Sequence, residues 1–411
     1  MLVKLAWRNL WRNKLRTGIM LGAMVFGLMG IVAMLGFMSG MVDNMVHNAI
    51  AWQISHVQIH NQRYLDNPDI NDTIVDTPQL LQRLNSDPQI QALSARFLVD
   101  GMIGSAHSSR GVRINGIDLE AEARLTPLST HIIEGEWLSV EHKRPILISA
   151  KMAHRLKLRV GSKAVLTFTY GAGDVTGAAF RVRGIFKSPS TSFDDGNVYV
   201  RIDDLRKIAG MTGVHEIAIL MAGKQNADDR QPVIQLRDKI ASYTTSENRV
   251  RDWTQVQPLL ASMLATMGGS SAIMLGIFLL AMGFGIINVM LMSVFERTQE
   301  FGVLMAVGMQ KHKILQLILL ESAWLGICGA TLGLVSCMVM MALLQITGLP
   351  LGSMAEGLGA YGLDTVLYPR VSVTEYVSIF ITVTLTAVIA ALYPARQILK
   401  QHPAQAMAEK H

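Results

Sequence analysis

Four long apolar runs dominate the pattern of hydrophobic and polar positions along this chain of 411 residues. They cover roughly residues 18–39, 270–295, 314–346 and 375–393. Since an α-helix rises about 1.5 Å per residue, each run is long enough to cross about 30 Å of hydrocarbon. The third run is long for one crossing, so we expect it to tilt, to bend at Gly326, Gly329 and Gly333, or to carry one end into water.

Between the first and second runs the hydrophobic pattern is shorter and mixed. Val57–His60 alternates as a half-buried strand does, and Thr77-Pro78 is placed to open a helix with threonine at the cap. Further strands are predicted at 95–103, 110–117, 145–149, 164–169, 179–186, 197–201 and 215–221, helices at 150–158, 203–209, 232–242 and 252–268, and a polar loop at 223–230. This pattern predicts a mixed α/β domain with two parts, 40–120 together with 215–257, and a β-rich insert at about 130–200.

The net charge of +6 is concentrated at the ends of the apolar runs. Basic residues precede the first run, separate the second from the third and follow the fourth: Lys4, Arg8, Arg12, Lys14 and Arg16; Arg297, Lys311 and Lys313; Arg396, Lys400 and Lys410. The segment between the third and fourth runs has Arg370 as its one basic residue. The positive-inside rule then places both termini and residues 296–313 in the cytoplasm. Because the cations lie at membrane ends and form no single face, a nucleic-acid partner is not expected.

The chain is therefore predicted to be an α-helical membrane protein with four transmembrane helices, one before and three after a large mixed α/β extracytoplasmic domain. Its predicted segments are a cytoplasmic amphipathic helix at 1–16, spans at 17–39, 269–295, 314–346 and 375–393, the periplasmic domain at 40–268, a cytoplasmic helix and loop at 296–313, an external loop at 347–374 and a cytoplasmic tail at 394–411. The first segment has two interpretations, an interfacial helix on anionic headgroups or a plain basic flank that sets topology.

Motifs for bond chemistry are absent from the sequence. It has no GxxxxGK[ST] phosphate loop, so we expect no nucleotide hydrolysis by this chain, and it has neither GxSxG nor HExxH. His56 and His60 share a strand face, but two histidines leave a metal site short of ligands. Asp194–Asn197 has the composition of a turn. Cys328 and Cys337 lie nine residues apart, on opposite faces of one helix, and cannot pair with each other.

Glu321 is the unusual residue of the third run. A charge at the centre of a bilayer costs roughly 2.5–3.5 kcal/mol on insertion scales. The favoured interpretation is that the true span starts later, so that Glu321 lies near the headgroups. The alternative is a buried partner, such as a cation from another helix.

Residues 295–309, between the second and third runs, form a segment that is charged at its start and then apolar. A short helix here would present an apolar patch of Val303, Leu304, Met305 and Val307, and Gly308 would end it. Docking of this helix into a groove of another protein is one interpretation. A simple interfacial turn is the other.

This segment resembles the coupling helix of the FtsX-like permease family, whose pattern is roughly E-[RK]-[TR]-x-E-[IF]-[GA]-[VI]-[LR]-x-A-[VL]-G. The matching residues are Glu296, Arg297, Thr298, Glu300, Phe301, Gly302, Val303, Leu304, Ala306, Val307 and Gly308. The basic motif at 6–17 and the C-terminal Tyr393–Arg396 with Pro403, Ala404 and Ala406 are also similar to that family. In the external domain, the segments 115–118, 134–135, 147–150, 160–161, 182–186, 198–200 and 252–253 most resemble those of the lipoprotein-releasing branch, of the LolC and LolE type.

The resemblance implies a membrane subunit of an ABC transporter in the bacterial inner membrane. A separate cytoplasmic ATPase dimer would bind ATP and Mg and grip the coupling helix, while this chain would bind no cofactor and would not be an enzyme. The implied coupling residues are Glu296, Arg297, Thr298, Glu300, Phe301, Gly302, Val303, Leu304, Ala306 and Gly308. The other implied partners are a second permease chain, identical or paralogous, membrane lipid, and a periplasmic cargo or acceptor protein.

The expected activity is extraction of a lipoprotein or other lipid-anchored cargo from the outer leaflet of the inner membrane. Such cargo resists extraction by about 0.8 kcal/mol per buried CH₂, so the step needs mechanical work but no channel. Two alternatives remain open at this point. One is export of small hydrophobic molecules or peptides from the periplasm with a tunnel partner, and the other is mechanical activation of a periplasmic cell-wall hydrolase.

Overall fold

The computed structural model describes residues 2–170, 173–223, 230–352, 357, 359 and 362–400, with side chains up to residue 397. The predicted loop at 223–230 and the predicted tail at 394–411 lie mostly outside the described residues, including Pro403, Ala404, Ala406 and Lys410, and the predicted external loop at 347–374 lies outside them in part. The chain divides into two compact units. The first comprises Met1–Met41, Ala265–Leu349 and Tyr368–His411, and the second comprises Val42–Leu264 and Pro350–Leu367.

Helices and strands alternate in the second unit, whereas long helices make up the first. The α-helices are α1 (Leu2–Leu10), α2 (Lys14–Ala49), α3 (Gln62–Asp66), α4 (Thr77–Asn85), α5 (Leu119–Leu125), α6 (Ala150–Leu156), α7 (Thr191–Gly196), α8 (Ile202–Ala209), α9 (Gln231–Tyr243), α10 (Trp253–Val256), α11 (Pro258–Glu296), α12 (Thr298–Ala306), α13 (Lys311–Thr347) and α14 (Val373–Lys400). The strands are β1 (Val57–Asn61), β2 (Ile90–Gly104), β3 (Ser109–Ile117), β4 (Ile132–Gly135), β5 (Pro145–Ser149), β6 (Lys163–Tyr170), β7 (Asp174–Phe186), β8 (Asn197–Arg201), β9 (Glu216–Met221), β10 (Asn248–Asp252), β11 (Leu349–Pro350) and β12 (Val366–Leu367). A π-helical turn at Ile50–Ile54 and a 3₁₀ turn at Pro127–Thr130 complete the described elements.

Four helices in the described part of the chain are long and apolar enough to cross a membrane: Lys14–Ile54, Pro258–Glu296, Lys311–Thr347 and Val373–Gln397. Each contains one predicted apolar run and extends beyond it, because the helix continues through polar turns at its ends. The helix predicted at 1–16 is wrong in its C-terminal part. The Asn13 side chain accepts the N–H of Arg16 and starts α2, while the Thr17 hydroxyl donates to the Leu10 carbonyl at 2.6 Å and closes the turn after α1.

The glycines of α13 serve close helix packing. A Cβ on Gly326 would lie 2.9 Å from the Ala387 Cβ on α14, and one on Gly333 would lie 2.5 Å from the Leu28 Cδ1 on α2. Small residues let helix backbones approach each other in lipid. The helix α13 continues unbroken from Lys311 to Thr347. The glycines are therefore explained by packing, and the bend that the sequence analysis considered at these positions is not required.

One sheet organises the second unit, in the order β10-β1-β9-β2-β3-β8-β5-β7-β4, with β6 paired to both β2 and β7. All seven strands predicted after Val57–His60 are present. β4 and β10 were missed, since β4 has only four residues and β10 is both short and polar. β1 is buried at every position, so the predicted half-burial of this strand is wrong.

Strand β2 belongs to both parts of the sheet. Its first half, from Ile90 to Arg96, pairs with β9, and its second half, from Phe97 to Gly104, pairs with β3. β3 also pairs in parallel with β8, so it lies with the β-rich part. The sequence analysis grouped residues 40–120 with 215–257, and this predicted division is therefore wrong for β3.

Three local predictions change at helix ends. Asp76, with φ of 56°, occupies the N-cap position of α4 without a capping bond from its side chain, and the Thr77 hydroxyl donates to the Ile74 carbonyl. The helix predicted at 252–268 is broken before Pro258, which starts α11. Asp194 to Gly196 end the short helix α7 and do not form the predicted turn.

Several buried polar groups of the second unit are paired within the domain. The Arg96 guanidinium donates to Glu122 at 2.6 and 3.0 Å and to Glu216 at 2.7 Å. Burial lowers the pKa of His56 to about 4, and its Nδ1 accepts the N–H of Met221. Burial likewise lowers the pKa of His60 to about 4. Among the described residues, no group of three or more His, Cys, Asp or Glu side chains is arranged to hold a metal ion.

Asp194 gives the external domain a testable pH dependence. Burial raises the pKa of this carboxyl to about 6, against the bonds that it accepts from Ser188. An acid whose folded pKa lies above its unfolded value binds its proton more tightly when folded, so its contribution to stability improves as pH falls from above 6 to below 4. Across that window the difference amounts to about 3 kcal/mol.

We expect Asp194→Asn to raise the Tm of the full chain in detergent at pH 7.5 and to leave it near the wild-type value at pH 4. The control is Asp203→Asn, the same change at an exposed carboxylate. If the difference in Tm between Asp194→Asn and the wild type is the same at pH 7.5 and at pH 4, the Asp194 carboxyl is not the source of the pH dependence.

Candidate coupling site

The segment singled out by sequence forms a short helix between two spans. α11 ends at Glu296, and Arg297, with φ of −105° and ψ of 12°, interrupts the helical path before α12 starts at Thr298. The Thr298 hydroxyl donates to the Val294 carbonyl at 3.3 Å, which ties the start of α12 to the end of α11. The two helices are thus separate elements with a one-residue joint.

The other end of α12 is closed by a Schellman motif. The N–H of Met309 donates to the Leu304 carbonyl at 2.9 Å, and the N–H of Gly308 donates to the Met305 carbonyl at 3.1 Å. Gly308 has φ of 98°, a left-handed conformation that glycine adopts without a Cβ penalty. This geometry confirms that Gly308 ends the helix. The predicted loop to residue 313 is shorter than expected, because α13 begins at Lys311.

One face of α12 is anchored in the apolar core of the first unit. Phe301 is 1% exposed there, and Thr298 and Gly302 are also buried. Leu304 and Met305 are partly buried against the same core. These contacts determine the rotation of the helix about its axis.

The opposite face of α12 is exposed and apolar. Val303 is 52% exposed, Val307 at the C-cap is 82% exposed, and Ala306 is exposed on the same face. The predicted patch also included Leu304 and Met305, and that part of the prediction is wrong. Because a helix turns about 100° per residue, those two side chains point toward the core once Phe301 is buried.

Ion pairs connect α12 to the turn between α1 and α2. Arg12 binds the Glu300 carboxylate with both terminal nitrogens, at 2.7 and 3.2 Å, and the Arg297 Nε donates to the same carboxylate at 3.0 Å. Arg16 pairs with Glu296 one turn away. Partial burial alone raises the pKa of Glu300, but the bonds from Arg12 and Arg297 outweigh it and hold that pKa below its usual value. Glu300 therefore stays charged at neutral pH.

Arg297 also extends the network into α13. Its Nη1 lies 3.0 and 3.3 Å from the two carboxylate oxygens of Glu321, and both side chains are close to 90% buried. The guanidinium carbon of Arg297 lies 5.2 Å from the centre of the Phe301 ring, within cation–π range. The structure thus supports the alternative interpretation of Glu321, a partner cation from another helix. We call Arg12, Glu300, Arg297 and Glu321 the ionic network.

The ten residues predicted for coupling divide by position. Glu296, Arg297 and Glu300 form ion pairs; Thr298, Phe301, Gly302 and Leu304 pack inward; Val303 and Ala306 face outward; and Gly308 closes the helix. Sequence reasoning missed Arg12 and Arg16 as partners of this segment. The available signal was topology, because the positive-inside rule places 1–16 and 296–313 on one side of the membrane.

Comparison with protein families gives two matches along the chain. Residues 17–238 match the family described as MacB-like periplasmic core domain, and residues 272–403 match the family described as FtsX-like permease C-terminal. The first match covers more than half of the 411 residues. Together the matched segments include α12 and most of the second unit.

The chain is also similar to individual proteins. The chain is 26% identical, over 280 residues, to an uncharacterized ABC transporter permease of Methanocaldococcus jannaschii, covering 67% of this chain and 65% of the relative. It is 34% identical, over 134 residues, to the macrolide export ATP-binding/permease protein MacB of Shewanella sp. strain W3-18-1, covering 33% of this chain and 18% of that protein. The crystal structure of the periplasmic region of MacB from Actinobacillus actinomycetemcomitans aligns with a TM-score of 0.35 at 10% identity, covering 53% of this chain and 97% of that one.

Proposed function

Because this chain belongs to the permease family that combines a MacB-like periplasmic core domain with an FtsX-like C-terminal domain, we propose that it is the membrane subunit through which a separate ATPase drives an ABC transporter. The observation that carries the proposal is the exposed apolar face of α12. Two valines there are exposed on a helix whose other face is anchored in the core. Amphipathic helices of this kind dock into grooves of partner proteins.

The proposed partner is a cytoplasmic ATPase dimer that binds ATP and Mg, while this chain binds neither. Each half of the dimer would engage one permease chain, so two permease chains are proposed per complex. Fully burying a valine side chain contributes about 1.5–3 kcal/mol, so Val303 and Val307 would form the centre of such an interface. Gln299, also exposed on α12, would lie at its rim.

The ionic network would transmit the motion of α12 to the spans. α12 is joined to α11 by the single residue Arg297, and the same residue is held by Glu321 of α13. Burial of Phe301 leaves little freedom for α12 to roll against these helices. A partner that displaces α12 would therefore displace the ends of two spans, and α11 continues without a break to Pro258 in the second unit.

The proposed cargo is a lipoprotein or another lipid-anchored molecule taken from the outer leaflet. The described spans are apolar, and Glu321, the acidic residue buried deepest within them, is paired with Arg297. They therefore favour a mechanism without a water-filled path. Each acyl chain resists removal by about 0.8 kcal/mol per CH₂, which ATP-driven movement of the external domain would offset.

A release assay tests the proposal. The full chain is captured from its own membranes with its ATPase, and the complex is reconstituted in liposomes that carry a triacylated lipoprotein. With ATP and Mg we expect the lipoprotein to appear in the soluble fraction with an acceptor protein present. The matched control is the same lipoprotein anchored by a transmembrane helix, which should stay in the liposomes.

Two results would contradict the cargo assignment. Equal release without hydrolysable ATP would show passive transfer. ATP turnover without release of the lipoprotein, together with transport of a small hydrophobic compound or stimulation of a cell-wall hydrolase, would support one of the alternatives instead.

A further inference from the structure

A cavity of about 520 Å³ lies in the first unit, between the end of α1 with the start of α2, the C-terminal end of α11 with Arg297, and α13 at Glu321 and Leu325. Four cationic side chains and two carboxylates line it: Arg12, Lys14, Arg16 and Arg297, with Glu296 and Glu321. The lining therefore has an excess of two positive charges. This cavity is called the headgroup cavity below.

Most of these charges already have partners, which leaves a defined part of the lining available. The three arginines are engaged with Glu296, Glu300 and Glu321. Lys14 makes no ion pair within the described part of the chain. The Nδ2 of Asn9, also in the lining, is a buried donor that has no hydrogen-bond partner among the described residues.

The start of α2 adds to the positive potential of the same wall. Lys14 is the first residue of this helix of 36 residues, Asn13 directly precedes it, and both line the cavity. The first N–H groups of a helix lack internal acceptors, and its dipole favours an anion there. A phosphate at this place would accept from Lys14, from Asn9 and from the helix start.

The lining of the cavity also has apolar side chains. They include Met20 of α2, Met290 of α11 and Leu325 of α13. All three belong to helices that are long and apolar enough to cross a membrane. The lining thus combines charged and apolar side chains, as contact with both the phosphate and the acyl chains of a lipid would require.

We propose that the headgroup cavity binds the phosphate of an anionic phospholipid. The net positive lining selects an anion, the unpartnered Asn9 amide in the lining supplies a donor, and the apolar side chains of the lining select a lipid over a free phosphate. The bound lipid would hold the turn between α1 and α2 against the spans beside the ionic network. This site depends on insertion of the spans and is independent of the identity of the cargo.

Native mass spectrometry of the delipidated full chain tests this site. On titration with phosphatidylglycerol and with phosphatidylethanolamine, we expect preferential binding of one phosphatidylglycerol molecule. Lys14→Gln with Asn9→Leu should lower that affinity about tenfold, since a charge-assisted bond and a directed donor are lost. Lys4→Gln is the matched control, because it removes one exposed cation of α1 outside the cavity lining and should leave the affinity unchanged.

The possible outcomes separate a built site from general attraction. An equal loss of affinity for phosphatidylglycerol in the double variant and in Lys4→Gln would mean that anionic lipid is attracted by the general positive charge, and it would overturn the proposal. Displacement of bound phosphatidylglycerol by millimolar inorganic phosphate would assign the site to a free phosphate and would also overturn it. A Tm of the double variant within about two degrees of the wild-type value shows that the fold is kept. Because the experiment measures lipid binding, its result does not depend on coupling to the ATPase.

Discussion

Replacing Arg297 with methionine is expected to destabilise the first unit by about 3–5 kcal/mol. The change leaves the Glu321 carboxylate buried without its partner, and Glu300 loses one of its two cations. Most of the loss of stability comes from leaving the Glu321 carboxylate buried without a partner, rather than from the lost attraction between Arg297 and Glu321. The measurement is thermal unfolding of the full chain in detergent, followed by labelling of the buried Cys337.

A second substitution separates these two costs. Arg297→Met combined with Glu321→Leu replaces the pair by apolar side chains of similar size, and such replacements are often neutral or stabilising. We therefore expect the double variant to regain most of the lost Tm. Arg8→Met, at an exposed cation of α1, is the control for loss of a positive charge. If the double variant unfolds as early as the single one, the charge on Glu321 is not the reason for the loss.

Introducing aspartate at both Val303 and Val307 is expected to abolish binding of the ATPase while the chain still inserts and folds. Both side chains are exposed, so the substitutions leave the core contacts of Phe301 intact. Two charges in the centre of a docking face must be desolvated on binding, which costs several kcal/mol per ion. We expect at least a hundredfold weaker association, measured by co-purification and by stimulation of ATP hydrolysis.

Val140→Asp is the matched control for this experiment. Val140 is 78% exposed in the second unit, so the chemical change is the same at a place outside the proposed interface. It should retain ATPase binding at the wild-type level. Wild-type co-purification of the ATPase with the Val303→Asp and Val307→Asp chain would exclude α12 as the docking helix.

The spans and most strands were predictable because their signals are local. Length and apolar composition are sufficient for α2, α11, α13 and α14, and runs such as Ile146-Leu147-Ile148 indicate buried strands without knowledge of their neighbours. Short polar strands such as β10 carry no such signal, since their pairing with β1 is decided by the register of the whole sheet. The same reason explains why β1 is buried on both faces.

The coupling segment was predictable in its position but only partly in its orientation. Its charge pattern and Gly308 indicate a short helix, whereas the burial of Phe301 decides which apolar residues face outward. The bond between Arg12 and Glu300 joins residues 288 positions apart, and no local pattern contains it. Topology places both residues at one membrane surface, but only packing selects one partner from several cations.

The continuity of β2 through both parts of the external sheet has a mechanical consequence. This strand of 15 residues pairs with β9 along its first half and with β3 and β6 along its second half. A pull along β2 therefore loads several backbone hydrogen bonds in shear at the same time, rather than peeling them apart in succession. The two parts of the sheet would therefore respond to such a pull as one rigid body, without bending at a hinge between them.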